Sequence, residues 1–267
     1  MIAINAAKFK DVVKTIDKYG DIINVFFDDN GAYALLDDAN NVSRCKINMT
    51  RSWFDVYQPT VHKIYLARKN LEHIAKMCTN DSSIILTLDK DAKTINANFY
   101  AGKINYKASF TRIADTSANE IRDISERALA SFESIWSIYD LPSADFAKCI
   151  DSLKLAYSEA SYLSKAVSFK ITDSELQLAA GDMMTDSGVI ECSIDVYIKK
   201  KMYDSSYLFM EFPTDYIEIL KNQISIYKTE TVELYCAENV PMLMQINGHD
   251  NECVVKTLIA PRVAQNE

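Results

Sequence analysis

Residues 22–49 read IINVFFDDNGAYALLDDANNVSRCKINM. Runs rich in β-branched and aromatic residues alternate there with the polar clusters DDNG at 28–31 and DDANN at 37–41. Aspartate, asparagine and glycine favour tight turns, whereas a run of alternating apolar residues favours a strand with one buried face. The stretch therefore predicts three antiparallel strands joined by two hairpin turns.

The same pattern covers most of the chain, and four segments depart from it. Further strands are predicted at 83–88, 94–99, 103–110, 166–171, 175–180, 188–193, 207–212, 231–237, 241–246 and 252–260. Apolar residues recur instead at helical spacing in segments 7–19, 67–78, 143–155 and 214–223. Prolines 142 and 213 directly precede the last two segments, as is common at helix starts.

Each half of the chain thus has the same order of predicted elements: a helix, several strands, a second helix and further strands. Such repetition predicts two copies of one α+β unit, built from antiparallel sheet with two short helices each. Residues 114–134 are polar and have no strand pattern, so they are interpreted as a linker. The predicted domains are therefore 1–113 and 135–267.

Composition argues against several classes of protein. Of the 267 residues 48% are hydrophobic, which suffices for a packed core, and no apolar run is long enough to span a membrane. The six cysteines are far apart and form no C-x-x-C pair, which favours reduced thiols in an intracellular compartment over structural zinc or a disulfide scaffold. No glycine-rich nucleotide-binding motif is present.

Catalytic chemistry has no clear candidate either. The histidines at 62, 73 and 249 are isolated in sequence, and the acidic pairs 28–29 and 37–38 are better explained as solvated turns than as a cation site. A non-enzymatic protein without cofactor or metal is predicted. The net charge of −8 is uneven, because residues 1–134 hold 18 basic and 17 acidic side chains and residues 135–267 hold 11 and 20.

Five segments resemble the sliding clamps of the proliferating cell nuclear antigen family. LDDANNVS at 36–43 resembles the family's MDSSHVS, and TRSWFDVY at 50–57 resembles LRSEGFDTY. LPSADFAK at 141–148 is similar to MPSGEFAR, AENVP at 237–241 to SADVP, and KTLIAPRV at 256–263 to the closing KYYLAPKI. The five segments keep the family's order and spacing across nearly the whole chain.

This resemblance implies a head-to-tail homotrimeric ring that encircles duplex DNA and tethers a DNA polymerase and other replication or repair factors. The expected partners are DNA of any sequence, clamp-binding peptides, a clamp loader and other copies of the chain. The expected place is inside the cell at sites of replication, in the nucleus or, for a viral or prokaryotic protein, in the cytoplasm or a viral factory. The departures from the family motifs, with 22 lysines against seven arginines, suggest a virus or a divergent microbe.

In such clamps the helices line the hole, and basic residues stand at helical spacing on the predicted helices. Lysines 10, 14 and 18 form a row on the first helix, apart from its apolar face. The predicted DNA-facing residues are Lys10, Lys14, Lys18, Arg68, Lys69, His73, Lys76, Lys148, Lys154 and Lys221. The last three are accompanied by acidic residues, so weak contact with DNA is expected from the second domain.

Two further surfaces follow from the resemblance. The partner-peptide pocket would comprise Asp37, Val42, Arg44, Ile135, Pro241, Ile259, Ala260 and Pro261, and Arg44 would face outward where the family has leucine. An arginine at a pocket wall favours a partner peptide with a carboxylate. Subunits would join through strand 103–113 of one copy and strand 175–181 of the next, using Lys103, Tyr106, Phe110, Leu176, Leu178 and Ala180.

One alternative stays open at this point. A clamp-like scaffold for transcription or checkpoint assembly, as one member of a heterotrimer, would share the fold. Self-association distinguishes the two, because a processivity clamp of this type forms a ring by itself.

Overall fold

The computed structural model describes residues 1–88, 94–101, 103–111, 132–159, 166–180 and 190–262. The chain divides into two compact units. Unit one comprises residues 1–125 and 247–255, and unit two comprises residues 126–246 and 256–267. None of the helices described is long and apolar enough to cross a membrane.

Unit one contains two helices and nine strands, with a short 3-10 turn at Arg51–Trp53. Its elements are β1 Ile2–Asn5, α1 Ala6–Ile16, β2 Ile22–Asp28, β3 Gly31–Asp37, β4 Ser43–Thr50, β5 Val56–Tyr57, β6 Lys63–Ala67, α2 Arg68–Met77, β7 Ser83–Leu88, β8 Thr94–Ala101 and β9 Ile104–Thr111. They form two antiparallel sheets, in the strand orders β5-β1-β7-β8-β9 and β4-β3-β2-β6.

Unit two repeats this arrangement. Its elements are β10 Ser137–Pro142, α3 Ser143–Glu159, β11 Ala166–Ile171, β12 Glu175–Ala180, β13 Ile190–Asp195, β14 Tyr197–Lys200, β15 Leu208–Pro213, α4 Thr214–Tyr227, β16 Thr231–Cys236, β17 Met242–Gly248 and β18 Cys253–Ile259. The strand orders are β14-β10-β16-β17-β18 and β13-β12-β11-β15. The end of β17 and the start of β18 are counted with unit one.

Each unit therefore runs as one strand, a helix, five strands, a helix and three strands. Strands at the same place in this order also occupy the same place in their sheets, so β13 corresponds to β4 and β18 corresponds to β9. The predicted α+β class with two similar antiparallel units is confirmed. The boundaries proposed for the linker stay a prediction, because residues 112–131 lie outside the described part of the chain.

The opening stretch forms β2, β3 and β4 as predicted, and its turns explain why. The carboxylate of Asp28 accepts hydrogen bonds from the backbone N–H groups of Asn30 and Gly31, at 2.7 and 3.1 Å. Gly31 has φ +148°, and a Cβ there would lie 2.1 Å from the carbonyl oxygen of Met49. Glycine is thus required for the first hairpin to approach β4 so closely.

The helices cover the sheets with the faces that their apolar spacing predicts. Phe9, Val13 and Ile16 of α1 are buried, and so are Leu71 and Ile74 of α2. In unit two Phe146 of α3 packs edge to face on Phe169, whose ring also meets Phe212 at 5.2 Å. The polar faces of all four helices are left toward solvent, which is where the predicted basic residues lie.

Candidate nucleic-acid interface and subunit edges

Helix α1 is held so that its lysines point away from the core. Asn5 caps its first turn, because the side-chain oxygen accepts hydrogen bonds from the N–H groups of Ala7 and Lys8 at 2.9 and 3.3 Å. Lys10 Nζ donates to the neutral amide oxygen of Asn80 at 2.8 Å, so its charge is not offset by that contact. Lys14 is exposed and lies 3.2 Å from Asp11, a surface pair that stabilises little and opens readily.

Helix α2 adds three exposed side chains, Lys69, His73 and Lys76. No acidic partner is found for Lys69 or Lys76 among the described residues. The two helices pack together, and the groove between them is lined by Lys10, Lys14 and Lys76. The structure thus brings together lysines that lie more than 60 positions apart in sequence. This groove also contains two carboxylates, so its positive charge is moderate.

The structure gives Arg68 a different role from the predicted DNA contact. Its guanidinium lies 3.3 Å from the carboxylate of Asp17, 3.2 Å from that of Asp21 and 3.4 Å from that of Glu72. Only 20% of the side chain is exposed. Surrounded by three carboxylates, Arg68 ties the start of α2 to the end of α1, and its charge is offset locally. Lys18 is also close to Asp17, at 3.9 Å, although it stays half exposed.

Each predicted basic residue of unit two has an acidic partner. Lys148 lies 3.3 Å from Asp145, and Lys154 lies 3.4 Å from Glu218 on the facing helix. Lys221 pairs with Asp151, again across the two helices. Acids therefore accompany these lysines as predicted, but Lys154 and Lys221 each pair with an acid on the facing helix, whereas acids on their own helices were predicted.

The predicted pocket residues of unit one lie at the β3–β4 hairpin. Asp37 and Arg44 face each other in the strand register and form an ion pair, with about a quarter of each side chain exposed. Ser43 is buried, so the predicted alternation that turns Arg44 outward is confirmed. Val42 is half-buried beside it. The guanidinium of Arg44 thus already holds one carboxylate, which orients it at the rim of the hairpin.

The predicted pocket residues of unit two are distributed differently. Ile135 is 43% exposed, but Ile259 is fully buried, so its assignment to an open pocket is wrong: it belongs to the core. Pro241 accepts a hydrogen bond from the Trp136 indole N–H at 3.0 Å through its carbonyl oxygen. Ala260 and Pro261 are half-buried and follow β18 directly.

The subunit edge predicted in unit two is also wrong. Strand β12 lies between β11 and β13, so it has no free edge. Leu176, Leu178 and Ala180 face the core and are at most 3% exposed. Their assignment as interface residues is therefore overturned. The outer strand on that side of the sheet is β13, which borders only β12 among the described residues.

The edge predicted in unit one agrees with the topology. Strand β9 is the outermost strand of its sheet and borders only β8 among the described residues. Tyr106 and Phe110 are half-buried on its inner face, and Tyr106 stacks on Phe99 at 5.3 Å. Lys103 and Lys107 are exposed. This strand therefore presents a basic edge.

Strand β13 presents an acidic edge with the same spacing. Glu191 and Asp195 are exposed and four residues apart, as are Lys107 on β9 and Lys103 in the turn just before it. Sequence reasoning missed Glu191, Asp195 and Lys107. The alternating stretch IECSID at 190–195 was the available signal, because it carries two acids on its outer face, whereas ELQLAA at 175–180 is mostly apolar, as is more usual for a central strand.

A second cluster links α1 to the turn between β17 and β18 within unit one. Lys8 Nζ donates to the Glu252 carboxylate at 2.6 Å, and His249 Nε2 lies 3.5 Å from Asp11. The bond with Lys8 lowers the pKa of Glu252, whereas burial lowers the pKa of His249. Residues 249–251 all have positive φ, and these side-chain contacts help hold that left-handed turn.

Metal chemistry finds no support in the described residues, which contain no group of three or more His, Cys, Asp or Glu side chains placed to hold an ion. His62 and His73 are exposed. What the described surfaces offer is moderate positive charge on two helices and complementary charge on two strand edges.

No protein-family model matches the sequence. The chain is 22% identical over 266 residues to the DNA polymerase sliding clamp of Methanococcus vannielii, covering 97% of both proteins. It is 27% identical over 119 residues to that of Methanococcus maripaludis, covering 44% of this chain and 46% of the relative. The crystal structure of proliferating cellular nuclear antigen from Entamoeba histolytica is similar with a TM-score of 0.75 at 18% identity, over 98% of each chain. The fold is therefore that of the clamp, and these relatives lend no support to a viral source.

Proposed function

We propose that this chain is a subunit of a DNA sliding clamp, a ring that encircles duplex DNA and tethers a polymerase as a processivity factor. The clamp fold and the curated relatives of nearly equal length support this function. The chain would act inside the cell on DNA and would catalyse no reaction itself. The observation that carries the proposal is the repeat of one unit, with β9 outermost in a sheet of unit one and β13 outermost in a sheet of unit two among the described residues.

Ring closure follows from the correspondence between the two units. Within unit one, the outer edge of β4 lies beside the first residues of β18, and the N–H of Thr50 donates to the carbonyl of Glu252 at 2.9 Å. Strand β13 corresponds to β4, and β9 corresponds to β18. A second copy can therefore place its β9 beside β13 in the way that β18 lies beside β4.

Charge complementarity favours the same junction. Lys103, directly before β9, and Lys107 on β9 are four positions apart, about 13 Å along an extended chain, and so are the acidic residues 191 and 195 on β13. Two ion pairs can thus form at once. Because the two edges are different surfaces of the same chain, the contact is head to tail and closes into a ring when the rotation allows it. A homotrimer is the closed form that the resemblance predicts.

The helices would face the DNA. Lys10, Lys69 and Lys76 supply positive charge to α1 and α2 without a described acidic partner, whereas the lysines of α3 and α4 are paired with acids. Lysines without a fixed acidic partner attract phosphates but do not read base edges, so binding would be independent of sequence and sensitive to salt. Weak, uneven contact of this type suits a ring that slides.

Partner peptides would bind near Arg44 in unit one and near Ile135, Ala260 and Pro261 in unit two. The Arg44–Asp37 pair supports a partner segment with a carboxylate, because a guanidinium can accept a second acidic group through its free N–H donors. A polymerase and a clamp loader are the proposed partners of these two sets of residues.

The decisive experiment is topological. Protein assembled around nicked circular DNA should stay bound through a high-salt wash and should be released when a restriction enzyme linearises the circle. Equal retention on circular and linear DNA would overturn encirclement. Light scattering provides the companion measurement, because a chain that stays at 30.2 kDa in isolation would favour a heteromeric scaffold instead.

A further inference from the structure

Two cysteines meet where the edge strand β13 packs on helix α3. Cys149 lies on the buried side of α3, in the helical turn of Phe146 and Ile150. Cys192 lies on the inner face of β13, between Ile190 and the buried Ile194. Helix α3 packs against β13 along this line. Cys149 and Cys192 therefore lie on the facing sides of two packed elements, and Cys149 is near enough to raise the pKa of Cys192.

The other four cysteines differ from this pair in their exposure. Cys45, Cys78, Cys236 and Cys253 are buried, whereas Cys149 and Cys192 are partly exposed. A small disulfide in solvent can therefore reach the pair but not the buried thiols. Adjacent thiols on two fixed elements also react with each other far faster than with a third thiol from solution, because they are already held together.

We propose that Cys149 and Cys192 form a redox-active dithiol that a low-molecular-weight disulfide oxidises to an intrachain disulfide. In the first step the thiolate of one cysteine attacks the reagent, forming a mixed disulfide and releasing one reagent thiolate. In the second step the other cysteine loses its proton to solvent and attacks the protein sulfur of the mixed disulfide, which releases the second reagent thiolate. Two electrons pass from the protein thiols to the reagent.

The direction of attack also follows from the environment. Burial and the bond with Cys149 raise the pKa of Cys192 to about 12, so little of it is thiolate at neutral pH. Cys192 is therefore a poor first nucleophile. The product would fix the outer strand of unit two covalently to the helix beneath it, and this inference stands whether or not the chain forms a ring.

The test uses the native full-length chain and the chromogenic disulfide DTNB. The wild type should release two thionitrobenzoate anions per chain, retain no adduct and lose the mass of two hydrogens. Proteolysis without reductant should give one linked pair of peptides containing residues 149 and 192. Cys192→Ser should release one anion and keep one adduct, and Cys149→Ser should do the same more slowly, because burial still raises the pKa of Cys192. Cys78→Ser is the matched control and should behave like the wild type.

Several results would overturn the dithiol. Two stable adducts on the wild type would show that the sulfur atoms cannot reach each other, and absence of reaction would show that the pair is inaccessible. A linked peptide containing another cysteine would assign the chemistry elsewhere. A serine variant could unfold and expose every thiol, so a second test uses only the wild type. Phenylarsine oxide is a trivalent arsenical that bridges two adjacent thiols. It should therefore protect both Cys149 and Cys192 from DTNB.

Discussion

Reversing the charge of Lys107 should weaken self-association without unfolding the chain. Lys107 is exposed on β9, the outermost strand of its sheet, and its charge has no described acidic partner within the chain. In the proposed junction it would meet Glu191 or Asp195 of the next copy, according to the direction in which the strands pair. Lys107→Glu replaces that attraction with repulsion.

The expected size follows from the exposure of these groups. An exposed ion pair contributes about 0.2–1 kcal/mol, and repulsion costs a similar amount, so each junction should lose roughly 1 kcal/mol. Three junctions lose roughly 3 kcal/mol. A loss of roughly 3 kcal/mol raises the trimer dissociation constant roughly 150-fold. This constant has units of concentration squared, so the concentration at half dissociation varies as its square root and should rise roughly tenfold.

Sedimentation equilibrium over a dilution series measures this shift. Glu191→Lys or Asp195→Lys in the same chain should restore the wild-type value, and the one that does so reports the strand direction. Lys170→Glu is the matched control, because Lys170 is exposed on β11, a strand with a neighbour on each side. The difference should shrink in high salt. An unchanged dissociation curve for Lys107→Glu would refute the charged junction.

Three other substitutions test the remaining surfaces. Changing Lys10, Lys69 and Lys76 together to Gln should weaken the salt dependence of duplex DNA binding: the slope of log binding constant against log salt should become less steep by roughly 0.9 per lost phosphate contact. The same change to the three acid-paired lysines of α3 and α4 should alter the slope less. Arg44→Leu should weaken an acidic clamp-binding peptide roughly tenfold and strengthen a neutral one, and calorimetry showing both unaffected would place the peptide elsewhere. Because burial lowers the pKa of His249, the folded chain binds fewer protons than the unfolded chain, so stability should fall as pH decreases through about 6.5. Urea unfolding of His249→Gln should lose that dependence, and an equal slope in both proteins would contradict the assignment.

Elements were predictable from the sequence because their signals are local. Alternation placed β2, β3 and β4, and helical spacing placed all four helices, since each pattern needs only a few neighbouring residues. The inward side of β4 and the neutral surface of α3 and α4 followed from the same reasoning. These features depend on residues that are close in the chain.

Strand order and burial depth were harder because they depend on distant parts of the chain. The residues of 175–180 do not indicate which strands will pair with them. A mostly apolar central strand was therefore taken for an edge strand. Ile259 was assigned to a pocket by resemblance, although Cys253 and Val255 alternate with it on the buried side of β18. For Arg68, the acid at Glu72 was visible in the sequence, but Asp17 and Asp21 reach it only through the turn that follows α1.

The free edges of β9 and β13 also make the angle between neighbouring copies a determinant of the assembly. Both edges can keep all their backbone hydrogen bonds while the junction rotates by a few degrees, so strand pairing alone does not set the number of copies. If a substitution at this junction changes the rotation, each added chain still offers a fresh edge, and the product becomes an open helical filament of unlimited length. Electron microscopy of junction variants should therefore distinguish a lost contact, which gives single chains, from a misdirected one, which gives fibres.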